Sequence, residues 1–338
     1  MRRLTLSLAA AALLAVPASA AGAASLPGAS GGLVALAAGP GSAYAVVSTR
    51  AREKPFRLVR SDGSRAASLG AFGVPGADYA DVAAGAAGPL TVVARPTTSG
   101  YAYESAGFGA SEVLGAGTGA PVLALDGTTR IAAYPDNDGD AVVSRDGATT
   151  TLTRTGPALR TTPLDAVVTD GRPLVLARVQ SRTRSQLRVL GPGAPAAPVA
   201  SVAGLRPLEA SIARDDEGVY VAYRDGARRL VLATAGPRPT ARWSHRRLRV
   251  RGTLNGAPAV ARIGLRTIVA TSQRVDRRYR IFLTTVGPAG AFLDPLTRTG
   301  GSDLAPLAAT GPDGRVYVAW THRPGGRARR AAVLRRVL

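Results

Sequence analysis

The sequence lacks several residue types on which common active sites depend. Its 338 residues include no cysteine and only two histidines, His245 and His322. Without cysteine the chain can form no disulfide, no thiolate nucleophile and no lipid-modified N-terminal cysteine. Catalytic zinc sites usually take several His or Cys ligands, and the chain contains no G-x-S-x-G elbow of a serine hydrolase. We therefore expect no cofactor.

Aromatic residues are also scarce, since Phe, Trp and Tyr make up only 5% of the chain. Proteins that bind single-stranded nucleic acid combine a basic groove with aromatic side chains on which the bases stack. The scarcity of such stacking residues disfavours nucleic acid as a partner.

Long apolar runs are absent except near the start of the chain. Arg2 and Arg3 precede an apolar run from Leu4 to Val16, and Ala18-Ser19-Ala20 has the small residues of a cleavage site. The run is shorter than the ~18 residues that a membrane-spanning helix needs. We expect a secretory signal peptide cleaved after Ala20, an extracellular location and a mature protein without a transmembrane segment. An uncleaved membrane anchor is the alternative.

Charge is distributed unevenly along the chain. Residues 21–170 contain 11 basic and 13 acidic residues, whereas residues 171–338 contain 30 basic and 9 acidic residues. Almost all the basic residues are arginine, and codon usage in a GC-rich genome would account for part of that content. Codon usage does not account for the asymmetry, which indicates an anionic partner.

The chain repeats one apolar phrase seven times, at intervals of about 41 to 49 residues. Each copy follows a short strand of small residues and a glycine turn, and two further strands come after it. The copies begin at Tyr44, Leu90, Ile131, Leu174, Tyr220, Ile268 and Tyr317. Four short strands per repeat are typical of a propeller blade. The pattern predicts an all-β, seven-bladed β-propeller, with two stacked β-sandwiches as the alternative.

We expect one domain over residues 21–338. Its blades should lie at about 31–73, 77–119, 120–157, 164–204, 206–250, 255–300 and 302–338. The last blade has room for only one strand after Trp320, so its fourth strand is missing. Ala23-Ala24-Ser25-Leu26 repeats Ala66-Ala67-Ser68-Leu69 of the first outer strand. We therefore expect the N-terminal segment 22–30 to supply a strand that closes the last blade. Coincidence in an alanine-rich chain is the alternative.

The repeats resemble those of secreted bacterial seven-bladed β-propellers, most nearly the sialidase-like group with Asp-box repeats. An Asp-box reads Ser-x-Asp-x-Gly-x-Thr-Trp at the turn between the third and fourth strands. Ser144-Arg145-Asp146-Gly147-Ala148-Thr149 fits that turn, but it is one residue short and lacks the Trp. The signatures of the WD-repeat and kelch families are absent. The resemblance covers the whole mature chain as an architecture and does not by itself imply a function.

In the sialidase-like group, three arginines bind a carboxylate beside a Tyr–Glu pair and an acidic Asp. Arginine is so common in this chain that the presence of three arginines does not indicate such a carboxylate site. The group's Arg-Ile-Pro sequence is missing, and Ala261-Arg262-Ile263-Gly264 is the nearest match. No catalytic residue is identified.

One acidic loop is a weak candidate for a metal site. Asp136, Asp138 and Asp140 alternate in a Pro135–Ala141 loop, and carboxylate oxygens at such spacing can bind Ca²⁺. The loop lacks the glycine expected after the third Asp, and Gly147 stands where a calcium loop has Glu. We expect a solvated turn and no bound metal.

Basic residues recur in the loops between the second and third strands of the expected blades. These loops open on one face of a propeller, and guanidinium groups suit phosphate, sulfate and carboxylate. We predict a polyanion-binding face made of Arg178, Arg182, Arg184, Arg224, Arg228, Arg274, Arg277, Arg278, Arg323 and Arg327. A solvated rim that reflects codon usage is the alternative.

Together these features predict a secreted, monomeric, non-catalytic binding propeller. Its partner would be an anionic polysaccharide, glycan or other cell-envelope polymer. The alternative is a carbohydrate-active enzyme, a sialidase-like hydrolase or polysaccharide lyase, with its site at the propeller axis. Three clustered acids and a tyrosine facing the axis would favour the enzyme, whereas a ring of arginines without them would favour binding.

Overall fold

The computed structural model describes residues 23–338 except 107–111, 154–159, 170, 196, 205–207, 238–240, 298–299 and 326–329. The expected signal peptide lies outside the described residues. Those residues form 28 strands, β1 to β28, and no helix. In the described part of the chain no helix could therefore cross a membrane.

The strands form seven antiparallel sheets of four strands each. After β1 (Ala24–Leu26), blades 1 to 3 comprise β2 (Gly32–Gly39), β3 (Ser42–Ser48), β4 (Phe56–Ser61), β5 (Ala66–Phe72), β6 (Ala80–Gly85), β7 (Gly88–Thr97), β8 (Gly100–Ala106), β9 (Glu112–Gly117), β10 (Val122–Asp126), β11 (Thr129–Pro135), β12 (Ala141–Arg145) and β13 (Ala148–Thr151). Blades 4 to 7 comprise β14 (Arg160–Thr169), β15 (Arg172–Gln180), β16 (Arg184–Leu190), β17 (Ala200–Ala203), β18 (Glu209–Asp215), β19 (Gly218–Arg224), β20 (Leu230–Ala235), β21 (Ser244–Leu248), β22 (Thr253–Ile263), β23 (Arg266–Val275), β24 (Arg278–Gly287), β25 (Gly290–Pro295), β26 (Ser302–Thr310), β27 (Val316–Arg323) and β28 (Ala331–Arg336).

The sheets are arranged as the blades of a propeller. Within each blade we call the strands A to D from the axis outward. Each A strand contacts the A strand of the next blade, and β2 contacts β26, so the ring is closed. The prediction of an all-β, seven-bladed β-propeller is confirmed, and the alternative of two stacked sandwiches is wrong.

Blades pack face to face through alternating apolar side chains. In β16, Ser185, Leu187 and Val189 are buried while the residues between them are more exposed, as the two-residue period of a strand requires. Leu187 packs in one cluster with Ile212 and Val231 of the neighbouring blade. The buried side of this alternation therefore packs blade 4 against blade 5, and similar apolar clusters join the other neighbouring blades.

The ring closes through the N-terminus, as predicted. In β1, Ala24, Ser25 and Leu26 pair with Leu334, Val333 and Ala332 of β28. Leu26 is only 2% exposed and packs with Ala332 and Leu334. The segment thus supplies the fourth strand of blade 7 and covers an edge that would otherwise be unpaired.

Candidate functional site

All the turns between strands B and C lie on one face of the ring, which we call the B–C face. Hydrogen bonds tie these turns to the start of the next blade. Thr161 N donates to Gly139 O at 2.9 Å, and Leu254 N donates to Ala227 O at 2.7 Å. Between blades 7 and 1, Leu33 N donates to Thr321 Oγ1 at 3.0 Å. The B–C turns of blades 3 and 5 and the end of β27 are therefore each tied to the next blade around the axis.

Of the ten arginines predicted for this face, seven are exposed and form no ion pair with any described residue. We call them the arginine arc, because they lie in four adjacent blades, 4 to 7. Its members are Arg182, Arg184, Arg228, Arg274, Arg277, Arg278 and Arg323. A guanidinium group without an internal partner keeps its donors available for a ligand.

The other predicted members of this face differ from the arc. Arg178 is half-buried in β15, and its Nε is buried without a hydrogen-bond partner among the described residues. Arg224 places Nη2 2.7 Å from Glu209 Oε2 and donates from Nη1 to Leu254 O at 2.9 Å. It therefore joins blades 5 and 6. Arg327 lies outside the described residues.

The B–C turn of blade 6 presents three arc members on a tight hairpin. Val275 pairs with Arg278, so only Asp276 and Arg277 form the turn. Both have positive φ, 51° and 64°, as in a type I′ turn that matches the twist of the flanking strands. A two-residue turn leaves little freedom, so Arg274, Arg277 and Arg278 stand on a rigid support.

A cleft of about 560 Å³ opens on the B–C face between blades 6 and 7. One wall is Arg278 and Tyr279, at the start of β24. The rest is formed by residues 300–302, by Leu304 and by residues 323–325 after β27. Two members of the arc, Arg278 and Arg323, thus reach one cleft from different blades.

A hydrogen-bonded pair of Asp303 and His322 lies next to this cleft. Asp303 is 1% exposed and accepts a hydrogen bond from Trp320 Nε1 at 3.1 Å. His322 Nδ1 lies 2.7 Å from the same carboxylate oxygen, and the ring is 20% exposed. A Cβ on Gly301 would come within 2.8 Å of the His322 ring and 2.6 Å of Arg323 O. The pair therefore fixes the ring against which the glycine of the cleft packs.

In the acidic loop of blade 3, the carboxylate of Asp136 accepts hydrogen bonds from the backbone of the same loop. Asp136 Oδ1 accepts hydrogen bonds from Asp138 N at 2.9 Å and from Asp140 N at 2.8 Å. The described residues contain no group of three or more His, Cys, Asp or Glu that could hold a metal ion. The arrangement is that of a closed turn.

The two motifs that carried the family resemblance also have structural roles. Asp146 lies in the turn between β12 and β13, where an Asp-box would be, and its Oδ1 accepts a hydrogen bond from Arg130 N at 2.9 Å. Arg262 lies in β22, the A strand of blade 6, with Nε 2.7 Å from Asp215 Oδ2 and Nη2 2.9 Å from Glu217 Oε2. Its guanidinium also stacks 4.1 Å from the centre of the Tyr220 ring.

The axis holds a second candidate site that the sequence did not reveal. A cavity of about 350 Å³ is lined by residues of all seven A strands, and most of its walls are apolar. Asp81 and Asp165 line it, and Asp78 and Tyr79 lie among its residues on the B–C side. No arginine is among the lining residues, so the described cavity lacks a carboxylate-binding arginine triad.

Asp81 and Asp165 occupy equivalent positions. Each lies opposite the third residue of the repeated apolar phrase of its blade, which we call the anchor. Asp81 accepts hydrogen bonds from Val82 N and from Leu123 N of the next blade, at 2.8 and 2.7 Å. Asp165 does the same with Ala166 N and Ile212 N, at 2.9 and 3.0 Å. Each carboxylate therefore ties two neighbouring A strands together.

The environment makes these acids weaker than usual. Burial raises the pKa of Asp81 to about 7, with a smaller contribution from the charge of Asp165, although its backbone hydrogen bonds oppose the shift. Burial raises the pKa of Asp165 to about 6 against the same kind of opposition. Part of the population of each carboxyl is thus protonated near neutral pH.

Comparisons with known proteins show the fold and nothing finer. No model of a known protein family matches the chain, and no curated protein matches it. Among solved structures, YCF48 bound to a D1 peptide is similar with a TM-score of 0.54 and 12% identity, over 94% of this chain and 95% of that one. A prolyl endopeptidase is similar with a TM-score of 0.52 and 11% identity, over 90% of this chain and 50% of its own.

Trypanosoma rangeli sialidase in complex with sialic acid is similar with a TM-score of 0.51 and 10% identity, over 90% of this chain and 53% of its own. The chain thus spans about half the length of the sialidase and the endopeptidase. At such low identity these structures share an architecture with this chain, and their activities do not transfer with it. The chain is a seven-bladed β-propeller with sialidase-like structural neighbours.

Proposed function

We propose that this protein is a secreted binding module that holds anionic cell-envelope polymers or glycans on its arginine arc. The observation that carries the proposal is the clustering of seven exposed, unpaired arginines on one face of four adjacent blades. The signal-peptide pattern at the N-terminus supports an extracellular partner.

The physical basis is a field of one sign over a rigid surface. Guanidinium forks bind phosphate, sulfate and carboxylate through charge-assisted hydrogen bonds. A surface of one sign also raises the rate at which a polyanion meets it. Because the charges are exposed, salt should weaken binding steeply, as they are screened beyond about 8 Å at physiological ionic strength.

The proposal is tested by retention on a sulfated and on a phosphorylated matrix at increasing salt. The combined change Arg274→Ala, Arg277→Ala and Arg278→Ala should elute the protein at clearly lower salt. A matched control changes Arg242, Arg246 and Arg247 to Ala, three exposed arginines in and just before outer strand β21. The control removes the same charge from another part of the molecule.

The comparison of the two triple variants separates a binding face from a generally basic protein. If the β21 control elutes with the parent and the arc variant elutes early, the arc binds the polymer. Equal retention of all three, or an equal loss in both variants, would refute the proposal and leave codon usage as the explanation of the arginines.

One observation favours a second function. Asp78, Asp81, Asp165 and Tyr79 line the axial cavity, and the raised pKa of Asp81 suits a general acid near neutral pH. A carbohydrate-active enzyme would need such a group beside a second carboxylate. This group of three acids and a tyrosine at the axis is the arrangement that we expected of an enzyme. We nevertheless propose binding, because Asp81 and Asp165 each already accept two backbone hydrogen bonds and no arginine is among the residues that line the cavity.

The two functions predict opposite effects of one substitution. Asp81→Asn should leave retention on the anionic matrix unchanged if the protein is a binding module. Release of reducing ends from anionic glycans by the parent, abolished in Asp81→Asn, would establish the enzyme instead.

A further inference from the structure

We propose that the cleft between blades 6 and 7 is a subsite for one phosphate or sulfate ester group of the polymer. The inference rests on the proposed function and makes it specific, because it assigns a chemical class to one place on the arc. The cleft is defined by Arg278, Tyr279, Arg323 and the glycine-rich segment 300–302.

Two arginines from different blades converge on this cleft. Arg278 begins β24 in blade 6, and Arg323 ends β27 in blade 7. Both are exposed, and neither forms an ion pair with a described residue. Elsewhere on the arc the arginines line no cavity that includes a second arc member, among the cavities described.

The floor of the cleft allows an anion to approach closely. Gly300 and Gly301 carry no side chains, and a Cβ on Gly300 would lie 3.7 Å from Arg278 Nη1. The Arg278 guanidinium is therefore already close to this bare stretch of backbone. Gly301 has a φ of +133°, which other residues rarely adopt, and it packs on His322. Glycine is thus required here by the backbone and by the packing together.

The backbone around the cleft is held in unusual conformations. Four non-glycine residues have positive φ in the described part of the chain. Asp276 and Arg277 form the turn that precedes Arg278, and Ala305 lies in the bulge after Leu304, which lines the cleft. The positive φ of Asp276 and Arg277 belongs to their type I′ turn, whereas that of Ala305 is kept only because its surroundings impose it.

Two arginines that reach the cleft from different blades suit a tetrahedral oxyanion better than a carboxylate. A carboxylate offers two oxygens along one edge, which one guanidinium fork can occupy. A phosphate or sulfate group offers oxygens in several directions and can accept from two guanidinium groups at once. The cleft volume of about 560 Å³ exceeds that of the anion, so the glycerol or sugar unit that carries the ester would also enter it.

The test uses the mature protein and small probes, so that polymer avidity plays no part. Inorganic phosphate, inorganic sulfate and acetate are titrated against ¹⁵N-labelled protein, and the arginine Nε–H signals are followed. Phosphate, sulfate or both should shift the Arg278 and Arg323 signals and saturate, whereas acetate should not. The anion that binds more tightly, phosphate or sulfate, indicates which ester group the cleft takes.

Substitutions then locate the binding. Arg278→Ala and Arg323→Ala should each weaken oxyanion binding about tenfold, equivalent to about 1.4 kcal/mol of binding free energy. Arg182→Ala removes an equally exposed arc residue outside the cleft. The affinity of this variant for the oxyanion should stay within about twofold of that of the parent. Arg278→Lys keeps the charge but loses the fork, so it should weaken small-anion binding while largely preserving polymer retention.

The outcomes separate this inference from the proposed function. If the parent binds neither oxyanion saturably, or if Arg182→Ala weakens binding as much as Arg278→Ala, the subsite is refuted. Salt-sensitive retention on the polymer matrix would then still support the arc. If the parent is not retained on any anionic matrix, the proposed function fails first. Unchanged melting temperatures confirm that the variants are folded.

Discussion

Arginines on the two faces of the ring have different surroundings. On the face opposite the B–C turns, Arg262 lies between Asp215 and Glu217, and Arg130 contacts both Glu112 and Asp146. On the B–C face the seven members of the arc have no carboxylate partner among the described residues. The same residue type thus holds blades together where an acid lies close, as Arg262 and Arg130 do, and is left available in the arc.

The turns explain how acids on the first face come to pair with arginines. Hairpins between strands A and B, or C and D, use an aspartate to accept backbone N–H groups, as Asp62 and Asp215 do. The hydrogen bonds from Arg65 and Ser64 lower the pKa of Asp62 to about 2. Acids that close turns are therefore also in place to pair with an arginine of a neighbouring strand. The B–C turns of blades 4, 6 and 7 have few such acids.

The largest expected effect is on the stability of the closed ring of blades that both faces share. Leu26→Ala should lower the free energy of unfolding by about 2–4 kcal/mol, because it empties a buried position of the closing strand. Ser25→Ala, one residue away but exposed, should change it by less than about 0.5 kcal/mol. Chemical denaturation of both variants measures the difference.

Deleting residues 21–30 should act more strongly still, since it also uncovers the edge of β28 and invites aggregation. A truncated protein that melts like the full mature chain would show that the closing strand contributes nothing to stability.

The next effect tests the paired arginines. Arg262 has a side chain only 7% exposed, so Arg262→Ala should destabilise the fold by about 2 kcal/mol while leaving polymer retention unchanged. Arg266→Ala, at an exposed position of the same hairpin, removes an equal charge and should have little effect on stability. Equal melting temperatures for the two variants would contradict a structural role for the ion pairs.

A smaller effect concerns pH. The folded pKa of Asp81 is about 7, above its ordinary 3.8, so the folded state binds more protons than the unfolded state between these values. Stability should therefore fall as pH rises from about 4 to about 7. Asp81→Asn keeps an acceptor for Leu123 N. It should reduce this loss of unfolding free energy by about 1–2 kcal/mol, after allowance for solvent screening in the axial cavity. Urea denaturation of parent and variant at pH 4.5 and pH 8 measures it.

The smallest expected effect is that of calcium. Asp136 already accepts backbone hydrogen bonds from its own turn, so millimolar Ca²⁺ should not change the melting temperature. A rise of several degrees that is lost in Asp138→Ala would contradict this expectation.

The sequence predicts the blades and the closing strand better than it predicts the candidate sites. The seven anchors and the repeated Ala-Ala-Ser-Leu segment are local patterns, and they predicted the blades and the closing strand correctly. The roles of Arg224 and Arg262 depend on neighbours in other strands, which local patterns do not reveal. The two axial aspartates stand alone in apolar strands, and only closure of the ring brings them to one cavity. Likewise, Arg278 and Arg323 share a cleft only because blades 6 and 7 pack side by side.

The measurement that tests the central claim most directly is chemical modification of arginine by a dicarbonyl reagent, with and without a bound anionic polymer, read by mass spectrometry. In the free protein the arc and the β21 group, Arg242, Arg246 and Arg247, should react, while the buried Arg262 should not. The polymer should protect Arg182, Arg184, Arg228, Arg274, Arg277, Arg278 and Arg323 and leave the β21 group reactive. Equal protection of both groups, or none of the arc, would contradict the account.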